Sequence, residues 1–204
     1  MKTLVKNIRA IDPALGLDEV CDILIEGEQI VEVGQDLSAD GAEVLDRTGC
    51  IVVPGLVDVH VHLRDPGQEY KETIETGTAA AAHGGFTGIC SMPNTTPTTD
   101  NAATIDYVLD RAQSAGHCRV YPSGACTMGL KGESLAEIGD MAAHGAVAFT
   151  DDGRGVQSAG MMRRVMDYAK MFGCVVMSHC QDEELVGPGQ VNEGVVSTRL
   201  GMAG

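Results

Sequence analysis

His60 and His62 stand one residue apart inside Gly55-Leu56-Val57-Asp58-Val59-His60-Val61-His62-Leu63-Arg64-Asp65-Pro66-Gly67. In an extended strand, side chains i and i+2 leave the same face. Two imidazoles are therefore aimed at one point, where a single metal ion can take both. The same alternation puts Val57, Val59 and Val61 on the other face, as in a strand buried on both sides. Pro66-Gly67 ends the strand, so the histidines sit at its C-terminal end. That is the end at which α/β barrels carry their chemistry.

Other polar residues recur where later strands should end. Asn94 follows one apolar run, Asp151 and Asp152 follow another, and His179, Cys180 and Asp182 follow a third. Arg64 and Asp65 close the first. In a parallel sheet these ends share one rim. Two histidines from one strand, a carboxylate from another and His179 from the next form a mixed N/O set that suits zinc. Singly, each has a plainer reading. Asp151-Asp152-Gly153 is a turn, His179 a satisfied core histidine, Arg64 a surface cation and Asn94 a turn residue. What those readings leave unexplained is the recurrence at successive strand ends. His83, His117 and His144 stand at helix ends, where an imidazole complements the C-terminal dipole. Cys180, adjacent to His179, reads as a neighbour rather than a ligand.

The elements that must hold these groups alternate regularly. After residue 54 the pattern gives strands at 56–62, 86–92, 119–125, 146–150 and 174–179. Helices are expected at about 71–84, 101–115, 135–144 and 159–172, the second capped by Asp100. Regular βα alternation demands right-handed crossovers and a parallel sheet. About five βα units are present, where a (β/α)8 barrel of about 250 residues needs eight. The expected fold is α/β, a partial (β/α)8 TIM-type barrel over 55–204. It is preceded by a small β-sandwich module over 1–54, with a hairpin about Glu26-Gly27-Glu28 and four or five strands in all. An open sheet of this kind would leave edges exposed to association.

Of the 204 residues, 29 are acidic and 14 basic, a net charge of −15. Such a surface repels phosphate backbones and excludes nucleic acid as a partner. No apolar run approaches a membrane span and no signal-peptide core follows the N-terminus, so a cytoplasmic address is the default expectation. The seven cysteines are odd in number and include no Cys-x-x-Cys pair, which points to reduced thiols and away from a zinc ribbon.

Pro54-Gly55-Leu56-Val57-Asp58-Val59-His60-Val61-His62 resembles the first-strand motif of the amidohydrolase superfamily. The continuation through Arg64-Asp65-Pro66-Gly67, then Met92-Pro93-Asn94-Thr95 and Phe149-Thr150-Asp151-Asp152-Gly153, is similar to class I dihydroorotases. That resemblance implies zinc, two ions in a complete enzyme, with His60, His62, Asp152 and His179 as ligands and Asp152 bridging. It implies that Arg64 and Asn94 hold the substrate's carboxylate, with His62 close by. The implied reaction interconverts N-carbamoyl-L-aspartate and dihydroorotate in pyrimidine biosynthesis. Hydantoinase-type relatives place a carbamylated lysine at the fourth strand, and this strand has none. A further zinc histidine and the general base are expected beyond residue 204, so the chain reads as an N-terminal fragment, inactive alone, with Asp151 a poor substitute base. Two alternatives stay open: a non-catalytic scaffold that binds aspartate transcarbamoylase, and a related cyclic amidase such as allantoinase. A homodimer is one possible assembly, which the sequence does not decide.

Overall fold

The hairpin about Gly27 forms from strands β2 (Leu17–Glu26) and β3 (Gln29–Gly34), antiparallel and closed by the two residues between Glu26 and Gln29. Gly27 takes φ 63°, a left-handed turn conformation that glycine adopts without steric cost. The computed structural model describes residues 1–204. The chain divides into two units, Met1–Gly55 and Leu56–Gly204. The first is a five-stranded mixed sheet of order β3-β2-β1-β4, with β5 also on β1. Here β1 is Lys2–Asp12, β4 Glu43–Asp46 and β5 Ile51–Val52. Strand β1 has no clean alternation in the sequence because Lys6 occupies an inward phase between buried Leu4 and Ile8. Its ammonium is satisfied by Asp22 at 2.9 Å and by the Leu37 carbonyl at 2.9 Å.

Asp22 also accepts the backbone N–H of Asn7 at 2.9 Å and of Leu37 at 3.0 Å, pinning the register shift between Val5 and Ile8. The Asn7 N–H, then Lys6, hold the Asp22 carboxyl below the usual carboxylate range. A depressed folded pKa contributes stability that is present above the unfolded value of about 3.9 and is lost as pH falls through the folded pKa. Asp22→Ala should therefore lower the urea midpoint of this unit at pH 7, and the gap from the parent should close as pH drops below about 3.9. A gap that does not change with pH would contradict this role.

The second unit is a five-stranded parallel sheet in sequential order, β6 (Leu56–Val61), β7 (Phe86–Ser91), β8 (Arg119–Gly124), β9 (Ala148–Phe149) and β10 (Val175–Val176). This is the arrangement of one half of a (β/α)8 barrel. The helices are α1 (Ile74–His83), α2 (Ala102–Ala115), α3 (Ile138–Ala143), α4 (Ala159–Met171), α5 (Glu183–Val186) and α6 (Val195–Leu200). Strands β9 and β10 are shorter than the apolar runs suggest. Single backbone bonds extend their pairing, from Thr150 N to Gly124 O at 3.0 Å and from Met177 N to Phe149 O at 2.9 Å. Helix α2 is capped by Asn101, which accepts from Thr104 N at 3.2 Å, and not by Asp100. The Asp100 carboxylate turns instead to Gly129 N at 2.8 Å and ties down the segment after β8.

Two apolar clusters hold this unit. Leu63, Ile74, Ile89, Val108 and Val120 join α1 and α2 to the sheet. Ile105, Ile138, Met141, Phe149 and Val165 join α2, α3 and α4 around β9. The expectation that β6 is buried on both sides is corrected by its place at the edge of the sheet, paired with β7 alone. Val61 packs with the helix-side cluster, while Val57 and Val59 are 61% and 63% exposed.

All seven cysteines are free. Burial pushes the Cys90 thiol up to about 11 and the Cys126 thiol higher still, the state of unreactive core thiols. Cys50 and Cys180 are exposed, unlike the rest. His144 caps α3 as expected, but its ring nitrogen meets Asp106 of α2 at 2.9 Å, and that carboxylate raises its pKa. No helix is long and apolar enough to cross a membrane.

Candidate metal centre

Asp152 is the hub of the rim. Its side chain is 6% exposed and three imidazoles surround it. His60 Nε2 lies 3.3 Å from Oδ1, His62 Nε2 3.5 Å from Oδ2, and His179 Nδ1 3.6 Å from Oδ1. The ligand atoms of His60, His62 and Asp152 all lie within 4.8 Å of one another. A zinc ion with N and O ligands at about 2.0–2.1 Å in a tetrahedron sets neighbouring ligand atoms about 3.3–3.4 Å apart. The donor set and its spacing therefore fit a zinc ion. No lysine or arginine pairs with the buried carboxylate; its neighbours are the three imidazoles and the Asn94 amide.

The members of the cluster are placed by three strand ends. His60 is in β6 and His62 follows it by one residue. The two rings meet edge to face, with centroids 5.2 Å apart. Asp152 follows β9, and its neighbour Asp151 faces the other way, into the protein. Asp151 accepts Cys126 N at 2.8 Å, Thr127 N at 3.0 Å and the Thr127 hydroxyl. Burial raises the Asp151 carboxyl even against those three donors. Both its oxygens are engaged and it is 2% exposed, which removes it as a stand-in base.

His179 lies three residues beyond β10, where the strand has ended. Its segment is tied back by Gln157, whose Nε2 donates to Gln181 O at 2.9 Å and whose Oε1 accepts from Glu183 N at 3.0 Å. Gly155, at φ 65°, lets the turn approach: a Cβ there would sit 2.6 Å from the His179 carbonyl oxygen. Cys180 is exposed with its thiol on Ser178 O, and Asp182 caps α5, so neither joins the cluster.

Asn94 is drawn into the cluster itself. Its amide meets His62 Nδ1 at 3.0 Å and Asp152 Oδ2 at 3.2 Å. Asn94 and Asp152 also line a cavity of about 300 Å³ together with Thr95, Thr98, Gly129 and Arg154. Arg64 is not bonded to the cluster. It is half-buried, takes φ 62° and has no ion-pair partner. The next residue is anchored: Asp65 is buried and accepts the Tyr107 hydroxyl at 2.8 Å and Ile74 N at 3.4 Å. Burial first, then the Asp65 carboxylate, pushes the Tyr107 phenol up.

Gly67 brings the Arg64 loop against the Asn94 loop. It has φ 90°, and a Cβ there would lie 1.8 Å from Thr96 O. That contact is with backbone and cannot be relieved by a rotamer. Gly67→Ala should cost at least the about 1–3 kcal/mol of a strained backbone and separate the two loops. Urea unfolding measures the loss; an unchanged midpoint would show that the loops are not in contact as described.

Gln157, Tyr107 and the Asp151–Thr127 pair were not legible as site residues. Each acts through hydrogen bonds to residues 24 or more positions away, which leave no spacing in the sequence.

Residues 49–204 match the Dihydro-orotase-like family. The dihydroorotase of Syntrophotalea carbinolica is 56% identical over 204 residues, 100% of this chain and 48% of that protein. The dihydroorotase of Geobacter sulfurreducens is 54% identical over 205 residues, with the same coverage of 100% and 48%. The chain thus spans about half the length of the curated relatives it matches. Among solved structures, an L-hydantoinase (dihydropyrimidinase) from Arthrobacter aurescens superposes with TM-score 0.79 at 26% identity, over 90% of this chain and 42% of that one. A D-hydantoinase (dihydropyrimidinase) from Thermus sp. gives 0.69 at 30% identity, over 91% and 41%. With its βα rim, its His-His-Asp cluster and three quarters of its length matched, the chain belongs to the dihydroorotase-like family of amidohydrolase-type proteins.

Proposed function

We propose that this chain supplies the metal-binding and carboxylate-binding groups of a zinc-dependent cyclic amidohydrolase, a dihydroorotase that interconverts N-carbamoyl-L-aspartate and dihydroorotate. The observation that carries the reading is the buried Asp152 carboxylate with three imidazoles at 3.3, 3.5 and 3.6 Å. The relatives above 50% identity are dihydroorotases, whereas the hydantoinases stand at 26–30%. The β9 end carries Thr150-Asp151-Asp152 and no lysine, which favours the former. The ligand set that a degenerate scaffold would lose is intact.

His60, His62, Asp152 and His179 would hold the metal. Zinc in such a setting supplies Lewis acidity, towards a carbonyl oxygen and towards water. Arg64, half-buried and unpaired, offers a planar fork to the substrate's carboxylate. The second N–H of the Asn94 amide, beyond the one used on Asp152, is available to the same group. Asp151, enclosed and with both oxygens engaged, does not serve as the general base.

The test is zinc content and turnover on one sample of the intact protein that carries this chain. Bound zinc with formation of dihydroorotate from N-carbamoyl-L-aspartate is expected. A zinc-loaded, folded protein without turnover would overturn the reading.

A further inference from the structure

Asn94 stands between two groups of opposite demand. On one side is the Asp152 carboxylate, an acceptor only when ionised; on the other is His62 Nδ1, which donates or accepts according to tautomer. The 3.2 Å contact runs from Asn94 Nδ2 to Asp152 Oδ2, because an amide oxygen there would face a carboxylate oxygen with no proton between them. That choice fixes the rest. With nitrogen towards Asp152, Oδ1 faces His62 Nδ1 at 3.0 Å. An amide oxygen accepts and cannot donate, so Nδ1 must carry the hydrogen. In the neutral ring the lone pair is then on Nε2, the atom 3.5 Å from Asp152.

We infer that Asn94 is a positioning residue that sets the tautomer of His62, holding Nδ1 protonated and Nε2 free for a cation shared with Asp152. One side chain thereby orients two ligands at once. It is half-buried, follows β7 and touches no third group that would compete for its oxygen. The resemblance assigns Asn94 to the substrate's carboxylate alone; the geometry adds a task that exists before any substrate arrives. Metal-binding histidines commonly have their second nitrogen fixed by an acceptor, and loss of that acceptor costs about 10- to 100-fold in metal affinity.

The ring-nitrogen resonances of His62 test this in the intact, metal-free protein labelled with 15N in its histidines. Protonation at Nδ1 is expected. Asn94→Ala should lose the preference and weaken zinc binding about 10- to 100-fold, measured against a competing chelator. A neutral His62 protonated at Nε2 would overturn the inference, as would Asn94→Ala that keeps both tautomer and affinity. The zinc part rests on the proposed function, but the tautomer does not. A parent protein that binds no zinc would contradict the functional reading and leave the resonance result to decide this one.

Discussion

Asp152→Ala is expected to abolish stable zinc binding, lowering affinity by well over the about 100-fold that loss of an outer-shell partner costs. The carboxylate is the one group that all three imidazoles approach, and its removal breaks each of the pairs at 3.3, 3.5 and 3.6 Å. It also leaves the Asn94 amide without its acceptor. The fold should survive, because the backbone at this point is held by Asp151 through Cys126 and Thr127 and not by Asp152. Circular dichroism and zinc titration on the same variant separate the two effects. Zinc held as tightly as in the parent would mean that the ligand set is wrong.

Arg64→Ala is expected to reduce kcat/KM for a substrate with a carboxylate about 10- to 150-fold, the worth of a hydrogen bond to a charged group, about 1.5–3 kcal/mol. The guanidinium is half-buried and free of any ion pair within the chain, so it is available to an anionic group. Arg64→Lys keeps the charge and loses the two-pronged geometry, and should recover only part of the rate. The loop need not move, since its anchor is Asp65 on Tyr107 and on Ile74 N. Zinc content should stay at the parental level. Full activity in Arg64→Ala would transfer the carboxylate-binding role to another residue.

The parts of the molecule that follow from periodicity were readable beforehand. The β2–β3 hairpin, the βα alternation and the five parallel strands all rest on apolar spacing and on glycine or proline stops. The convergence of His60, His62, Asp152 and His179 followed from strand ends sharing a rim. Strand β1 was hidden because Lys6 occupies an inward position, compensated by Asp22, which is 15 residues from Asn7 in the chain. The exposure of Val57 and Val59 is not legible because a valine-rich run reads the same in a central strand as in an edge strand, and β6 is at the edge. Asn101 took the cap from Asp100 because Asp100 had a tertiary donor in Gly129. The double use of Asn94, on His62 and on Asp152, depends on contacts 32 and 58 residues away. Spacing reveals which residues can converge; it does not reveal which hydrogen bond each then makes.

One zinc ion shared by the imidazoles at the end of β6 and the carboxylate after β9 is the expected state of the loaded protein. Anomalous diffraction at the zinc absorption edge, from crystals grown with zinc, tests it most directly. A peak about 2.0–2.2 Å from His60 Nε2, His62 Nε2 and an Asp152 oxygen is expected. Zinc found only elsewhere on the protein, with these three side chains unliganded, would contradict it.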